Sequence, residues 1–186
     1  MKLRVFLVVA AIVLAVTTGA TRSPIPPALQ THSITVTSAA DSGPGTLREA
    51  LSQAPPGALI TFDPTVFPPD NPATIFILSA LPELAQGQLT IDGSNAGVIL
   101  DGSQAPRTPP VPGLMVASPG NVLQGLQILR FSGGGIILER GARDNTIGGD
   151  RTKGTGPTGQ GNLISGNGES GVTMKGVGTN NNVVSG

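Results

Sequence analysis

A five-residue pattern recurs through the last third of the chain and restricts its fold more than any other feature. It reads Asn, then Thr or an apolar residue, an aliphatic residue, any residue, and Gly. It occurs as NVLQG from Asn121, NTIGG from Asn145, NLISG from Asn162 and NVVSG from Asn182, at intervals of 24, 17 and 20 residues. A second pattern of Gly followed by apolar residues lies between them, GIILERG from Gly135 and GVTMKG from Gly171. Fainter relatives stand upstream as LTIDG (Leu89–Gly93) and VILDG (Val98–Gly102). Self-similarity on this scale denotes a solenoid, a propeller or an array. The chain has no Trp, which removes a Trp-Asp propeller. Leucine-rich spacing and long helix-period runs are also absent. A β-solenoid with two or three short strands per coil remains. Asn and Gly suit its corners because both tolerate the left-handed backbone region. Asn121, Asn145, Asn162 and Asn182 are therefore predicted at repeat corners, their amides satisfying backbone groups. The aliphatic residues stack from coil to coil as the core.

Composition agrees with a turn-rich β protein. Gly (27) and Pro (17) make up close to a quarter of the 186 residues, yet hydrophobic residues reach 38% and charged ones only 12%. A disordered chain has the opposite balance. Short apolar runs separated by Gly, Pro, Asp or Asn read as strands: Leu59–Phe62, Thr74–Leu78, Leu89–Ile91, Val98–Leu100 and Leu114–Val116. Ser33–Thr37 alternates as a strand with one buried face. One short helix is predicted over 46–53, with Thr46 as N-cap and Glu49 completing a capping box. Leu47, Ala50 and Leu51 share its apolar face, and Pro55 and Pro56 end it.

The N-terminus has the layout of a secretory signal peptide. Lys2 and Arg4 precede an uncharged apolar run, Val5–Val16, and small residues follow up to Ala20. The expectation is a leader over 1–20 cleaved after Ala20, then a Pro-rich linker over 21–32 and a β-solenoid domain over 33–186. Twelve apolar residues are short for a membrane crossing, which takes about 20. Without the leader, 9 Lys and Arg face 11 Asp and Glu. The full chain has no net charge, so nucleic acid is excluded as a partner. The absence of Cys excludes disulfides, thiolate metal sites and a Cys nucleophile. His32 is the only His and lies in the linker, which excludes histidine triads and His-rich zinc sites.

The run ITVTSAADSGPGTLREAL (Ile34–Leu51) resembles the opening segment of secreted bacterial right-handed parallel β-helix proteins of the pectin-lyase-like superfamily. Asp41, Gly43, Gly45, Leu47, Arg48, Glu49, Ala50 and Leu51 carry the match, without the Cys-Ser of a better known variant. Downstream, LTIDG and NTIGG…GNLISGNGESGV resemble coils of that family. The resemblance implies an all-β, right-handed parallel β-helix. It also implies a short helix capping the open N-terminal end, with Thr46, Leu47, Glu49 and Leu51 as the structural cap. Fold does not fix function in this superfamily, which hosts lyases, hydrolases and adhesins.

Little chemistry accompanies that fold. Asp92 and Asp101 are the candidates for a metal site or a carboxylate pair on adjacent coils, since sugar cleavage wants two carboxylates about 5–10 Å apart. The structural alternative is that each bonds local backbone in an Asp-Gly turn. Gly-His-Gly and Arg-Ile-Lys motifs of the family's polygalacturonases do not occur. Arg130 and Arg140 lie in strand-like stretches without the acidic cluster of its pectate lyases. Residues 150–161 contain no apolar residue and read as a protruding loop, with Arg151 and Lys153 as its basic pair. It is either a contact loop or a solvated connection. No catalytic residue and no cofactor is implied. The expected function is a non-catalytic secreted or cell-surface scaffold for adhesion or for envelope or extracellular-matrix interaction. Its partner is an extracellular polysaccharide or a surface protein, and no membrane span persists after leader cleavage. The alternative is the N-terminal fragment of a polysaccharide lyase or glycoside hydrolase whose catalytic coils lie beyond residue 186, since Gly186 falls inside the fourth repeat.

Overall fold

The computed structural model describes residues 32–186. The expected leader, its cleavage point after Ala20 and the linker up to residue 31 lie outside the described residues. The chain begins with β1 (Ser33–Val36), the helix α1 (Leu47–Gln53), β2 (Leu59–Phe62) and β3 (Ala73–Phe76). Next come β4 (Thr90–Asp92), β5 (Val98–Asp101), β6 (Leu114–Val116), β7 (Val122–Gln124), β8 (Leu126–Leu129) and β9 (Ile136–Leu138). It ends with β10 (Thr146–Gly148), β11 (Leu163–Ser165), β12 (Val172–Met174) and β13 (Val183–Ser185).

Every strand pairing is parallel. Sheet A runs β1-β2-β4-β7-β10-β13, sheet B runs β3-β5-β8-β11 and sheet C runs β6-β9-β12. A bridge from Leu84 to Val116 extends sheet C by one residue. From β2 onward the chain thus visits the sheets in the cyclic order A, B, C. Parallel neighbours need a long crossover, and here the strands of the other two sheets provide it. The all-parallel β arrangement with one short helix is consistent with a parallel β-helix or solenoid.

The register puts aliphatic side chains in rows. Ile60, Ile91, Leu123, Ile147 and Val184 pair successively across sheet A. Ile75, Leu100, Ile128 and Ile164 do so across sheet B, and Leu114, Ile136 and Val172 across sheet C. All but the outermost residues of these rows are buried. At the outer edge, Leu163, Met174, Val183 and Val184 are exposed. A left-handed residue precedes each sheet A strand from β2 on: Gly57 (φ 77°), Gln88 (55°), Gly120 (73°), Asp144 (58°) and Asn181 (54°). That backbone region turns the chain sharply into the strand, which keeps the strands short.

The four Asn motifs do not form one array. Asn121, Asn145 and Asn182 precede β7, β10 and β13, and occupy one corner of sheet A in three successive rounds. Asn162 precedes β11 and belongs to the corner that enters sheet B. The intervals of the true row are therefore 24 and 37 residues. The same short sequence appears twice in one round because both corners pose the same local problem, a tight turn followed by a three-residue strand.

Helix α1 starts at Thr46, whose hydroxyl accepts from the Glu49 amide. The Glu49 carboxylate accepts from Gly45 N at 2.7 Å, one residue before the N-cap amide that a capping box engages. Leu47, Ala50 and Leu51 join the core cluster beside Val36 of the edge strand β1. Arg48 fastens the helix: its guanidinium donates to Asp41 Oδ1 (2.6 Å), Ala80 O (2.6 Å) and Ser79 O (2.9 Å).

The segment 150–161 does not protrude. It folds back over the corner between β4 and β5. Gly156 N donates to Ser94 O at 2.7 Å and Thr155 N to Asn95 Oδ1 at 3.2 Å. A Cβ on Gly154 would lie 2.2 Å from Ser94 O, and one on Gly156 2.5 Å from Ala96 O. Glycine is required for this approach. The intervening round crosses from β7 to β8 through Gly125 alone, which leaves the corner below open to be covered.

The buried rows carry the stability. Ile91→Ala is expected to cost about 2–5 kcal/mol because its site is closed on all sides. Val184→Ala, at the exposed end of the same row, is expected to cost well under that. Urea denaturation of the two variants checks the ranking.

Candidate functional site

Asn amides occupy the corners and bond from one round to the next. Asn121 and Asn145 are fully buried. Asn121 Oδ1 accepts from Leu89 N (3.0 Å). Asn145 Oδ1 accepts from both Asn121 N (2.7 Å) and Asn121 Nδ2 (2.8 Å). Asn182 repeats this toward Asn145, at 3.0 and 2.9 Å. Asn182 Nδ2 also donates to Ala142 O, so its amide spans the two ends of the turn beneath it. Asn162 brackets Leu126 N and Leu123 O in the same way. Asn167 does so with Phe131 N and Ile128 O. Asn167 was missed at the sequence level, although its spacing of five from Asn162 in GNLISGNG was the available signal.

The carboxylates follow a second local rule. In Asp63-Pro-Thr65, Asp92-Gly-Ser94, Asp101-Gly-Ser103 and Asp150-Arg-Thr152, Oδ1 of the Asp accepts from the amide two residues on, at 2.8–2.9 Å. These are Asx turns. Asp92 and Asp101 lie in the same round, on sheets A and B, and not on adjacent coils. Among the described residues no side chain bonds to both. Among the described residues no group of three or more His, Cys, Asp or Glu is placed to hold a metal ion.

Asp101 differs from the others in one respect. Its side chain is 1% exposed, and Arg130, 56% exposed, closes over it. Arg130 Nε donates to Oδ1 at 3.2 Å and Nη2 to Oδ2. Burial disfavours the Asp101 carboxylate. The Arg130 guanidinium and the Ser103 amide outweigh that penalty and hold its pKa below the ordinary carboxylate value. Bonds from Thr65 and from Thr152 lower Asp63 and Asp150 likewise.

Arg130 is not in a strand. It follows β8 in the left-handed region, at φ 60°. Its neighbours in the ladder are Gly102 below and Gly166 above. The pair borders a cleft of about 370 Å³ that Arg107 also lines. Arg140, likewise left-handed, follows β9 and pairs with Glu83 and Glu139. The link between Asp101 and Arg130, 29 residues apart, becomes visible only once the length of each round is known.

No protein-family model matches the chain, and no curated protein matches it either. The site therefore rests on its own geometry.

Two outcomes are expected. Asn145→Ala orphans the fully buried Asn121 amide N–H, while Asn121 Nδ2 keeps Ser118 O and Oγ, and costs about 1–3 kcal/mol. Asn162→Ala orphans the Leu126 amide at a more open, part-buried corner and costs less, as paired urea titrations would show. The second concerns acid. Asp101 titrates below its unfolded value near 4, so its contribution is present above that pH and lost as pH falls through the folded pKa. Wild-type stability then declines below about pH 4, and Asp101→Asn flattens that limb. Thermal melts from pH 7 to 2 measure both.

Proposed function

We propose that the chain is a non-catalytic scaffold of the right-handed parallel β-helix type, similar to the pectin-lyase-like superfamily. In this proposal a leader is cleaved after Ala20, residues 33–186 form one β-helix domain, and the protein acts outside the cell. There it engages an extracellular polysaccharide or a surface protein in adhesion or envelope contact. The Asp-x-Gly-x-Gly segment, the Leu-Arg-Glu-Ala helix and the all-parallel sheets support the fold type. The single observation that carries the non-catalytic role is the use of the carboxylates. Asp92 and Asp101, the best candidates for acid–base work, are both committed to Asx turns, and Asp101 is further neutralised by Arg130.

The test expresses the chain with its leader and recovers protein from the medium. The expected product begins at Thr21, and adheres to acidic polysaccharide or to cell surfaces without changing them. Unsaturated product or new reducing ends that disappear in Asp92→Asn or Asp101→Asn would overturn the scaffold in favour of a lyase or hydrolase.

A further inference from the structure

We propose that the cleft beside Arg130 is an oxyanion-binding site, which takes a carboxylate, sulfate or phosphate group on two guanidinium groups. The inference stands whether or not the protein is exported. The cleft is walled by Gly102, Ser103, Arg107, Arg130, Phe131 and Gly166. It sits where sheet B gives way to the next corner, beside β5, β8 and β11.

Charge is the first argument. Asp101 lies beneath Arg130 with both oxygens bonded, so the cleft is faced by the guanidinium and not by the carboxylate. Arg107 adds a second positive charge. Among the described residues, Arg48, Arg130, Arg140, Arg143, Lys153 and Lys175 all have an acidic partner. Arg107 and Arg151 have neither an ion pair nor a side-chain hydrogen bond there, and of the two only Arg107 lines the cleft. The local balance is one carboxylate against two guanidiniums. Arg130 itself uses only Nε and Nη2 on Asp101, which leaves Nη1 for a ligand. A planar fork of this kind matches the oxygens of carboxylate, sulfate and phosphate.

Backbone conformation is the second argument, and it is independent. A left-handed non-glycine residue costs about 1–2 kcal/mol. Gly166 takes the same left-handed corner in the round above, at φ 68°, so the fold accepts the inexpensive residue there. Arg130 retains the strain and gains a side chain in the cleft. Gly166 completes the geometry. A Cβ there would lie 3.7 Å from Arg130 Cγ, so any longer side chain would stand over the guanidinium and shade it. Its absence keeps the charge open. Ser132, also at the cleft, is otherwise engaged, since its hydroxyl accepts from Val111 N and donates to Pro106 O. That fixes the wall that carries Arg107.

The test uses the full chain and five probes: acetate, sulfate and inorganic phosphate as free ions, and heparin and polygalacturonate as polymers. Isothermal titration gives affinity, and the Arg Nε–Hε NMR signals report the site. Two variants remove the charge without orphaning a buried carboxylate, Arg107→Gln and the double variant Asp101→Asn/Arg130→Gln. Arg151→Gln, in the segment 150–161, is the control for general electrostatics. The expected result is at least about tenfold weaker binding in both cleft variants, with Arg151→Gln unchanged. Binding of the free ions with that pattern identifies a small-anion site. Binding of the polymers alone with that pattern identifies a group carried on a chain. Failure of all five probes to bind would overturn the proposal. So would equal weakening by Arg107→Gln and Arg151→Gln.

Discussion

A stack of short parallel strands depends on one exchange. Each corner interrupts the ladder and strands amides and carbonyls in a dry interior, where a buried donor without a partner costs about 1–3 kcal/mol. Asn answers this because one small side chain offers both a donor and an acceptor. Asn162, Asn167 and Asn182 each clamp the amide and the carbonyl of the turn beneath. The aliphatic rows supply most of the burial energy, and the clamps tie each corner to the round beneath it, so rows and corners hold the same register.

The local devices were the legible part. The strand runs, the Thr46 N-cap, the Asn corners and the aliphatic third position of each motif all reflect short-range rules, and the structure places them on strands, on α1 and at turns. What escaped was every relation between rounds. The motif groups Asn162 with Asn121, Asn145 and Asn182 because it does not state which corner each serves. The Asp-Gly pattern puts Asp92 and Asp101 on adjacent coils for the same reason, whereas both belong to one round. The rounds differ in length, from 24 to 37 residues between successive sheet A corners in the latter part of the chain. No fixed period could bring Asp101 and Arg130 together on paper.

Arg130 shows how such a fold acquires a distinctive surface. Its left-handed corner is taken by glycine, Gly166, in the round above. One non-glycine residue there neutralises a buried carboxylate and borders a cleft at once. Features of this kind are single-residue departures from the repeat, and they are found by comparing a residue with its ladder neighbours instead of with its sequence neighbours.

The fold-back of 150–161 changes how the stack must come apart. An ideal repeat array behaves as a one-dimensional chain, in which each unit feels only those beside it. Here Gly156 and Thr155, which lie between β10 and β11, bond to Ser94 and Asn95, which lie between β4 and β5. The round of β7 and β8 is spanned from outside. It is held by a strap as well as by its two neighbours, so peeling from the outer edge must release the strap before it reaches that round. The array thereby acquires a second-neighbour coupling, and a stack that would fray unit by unit is tied into a larger cooperative block.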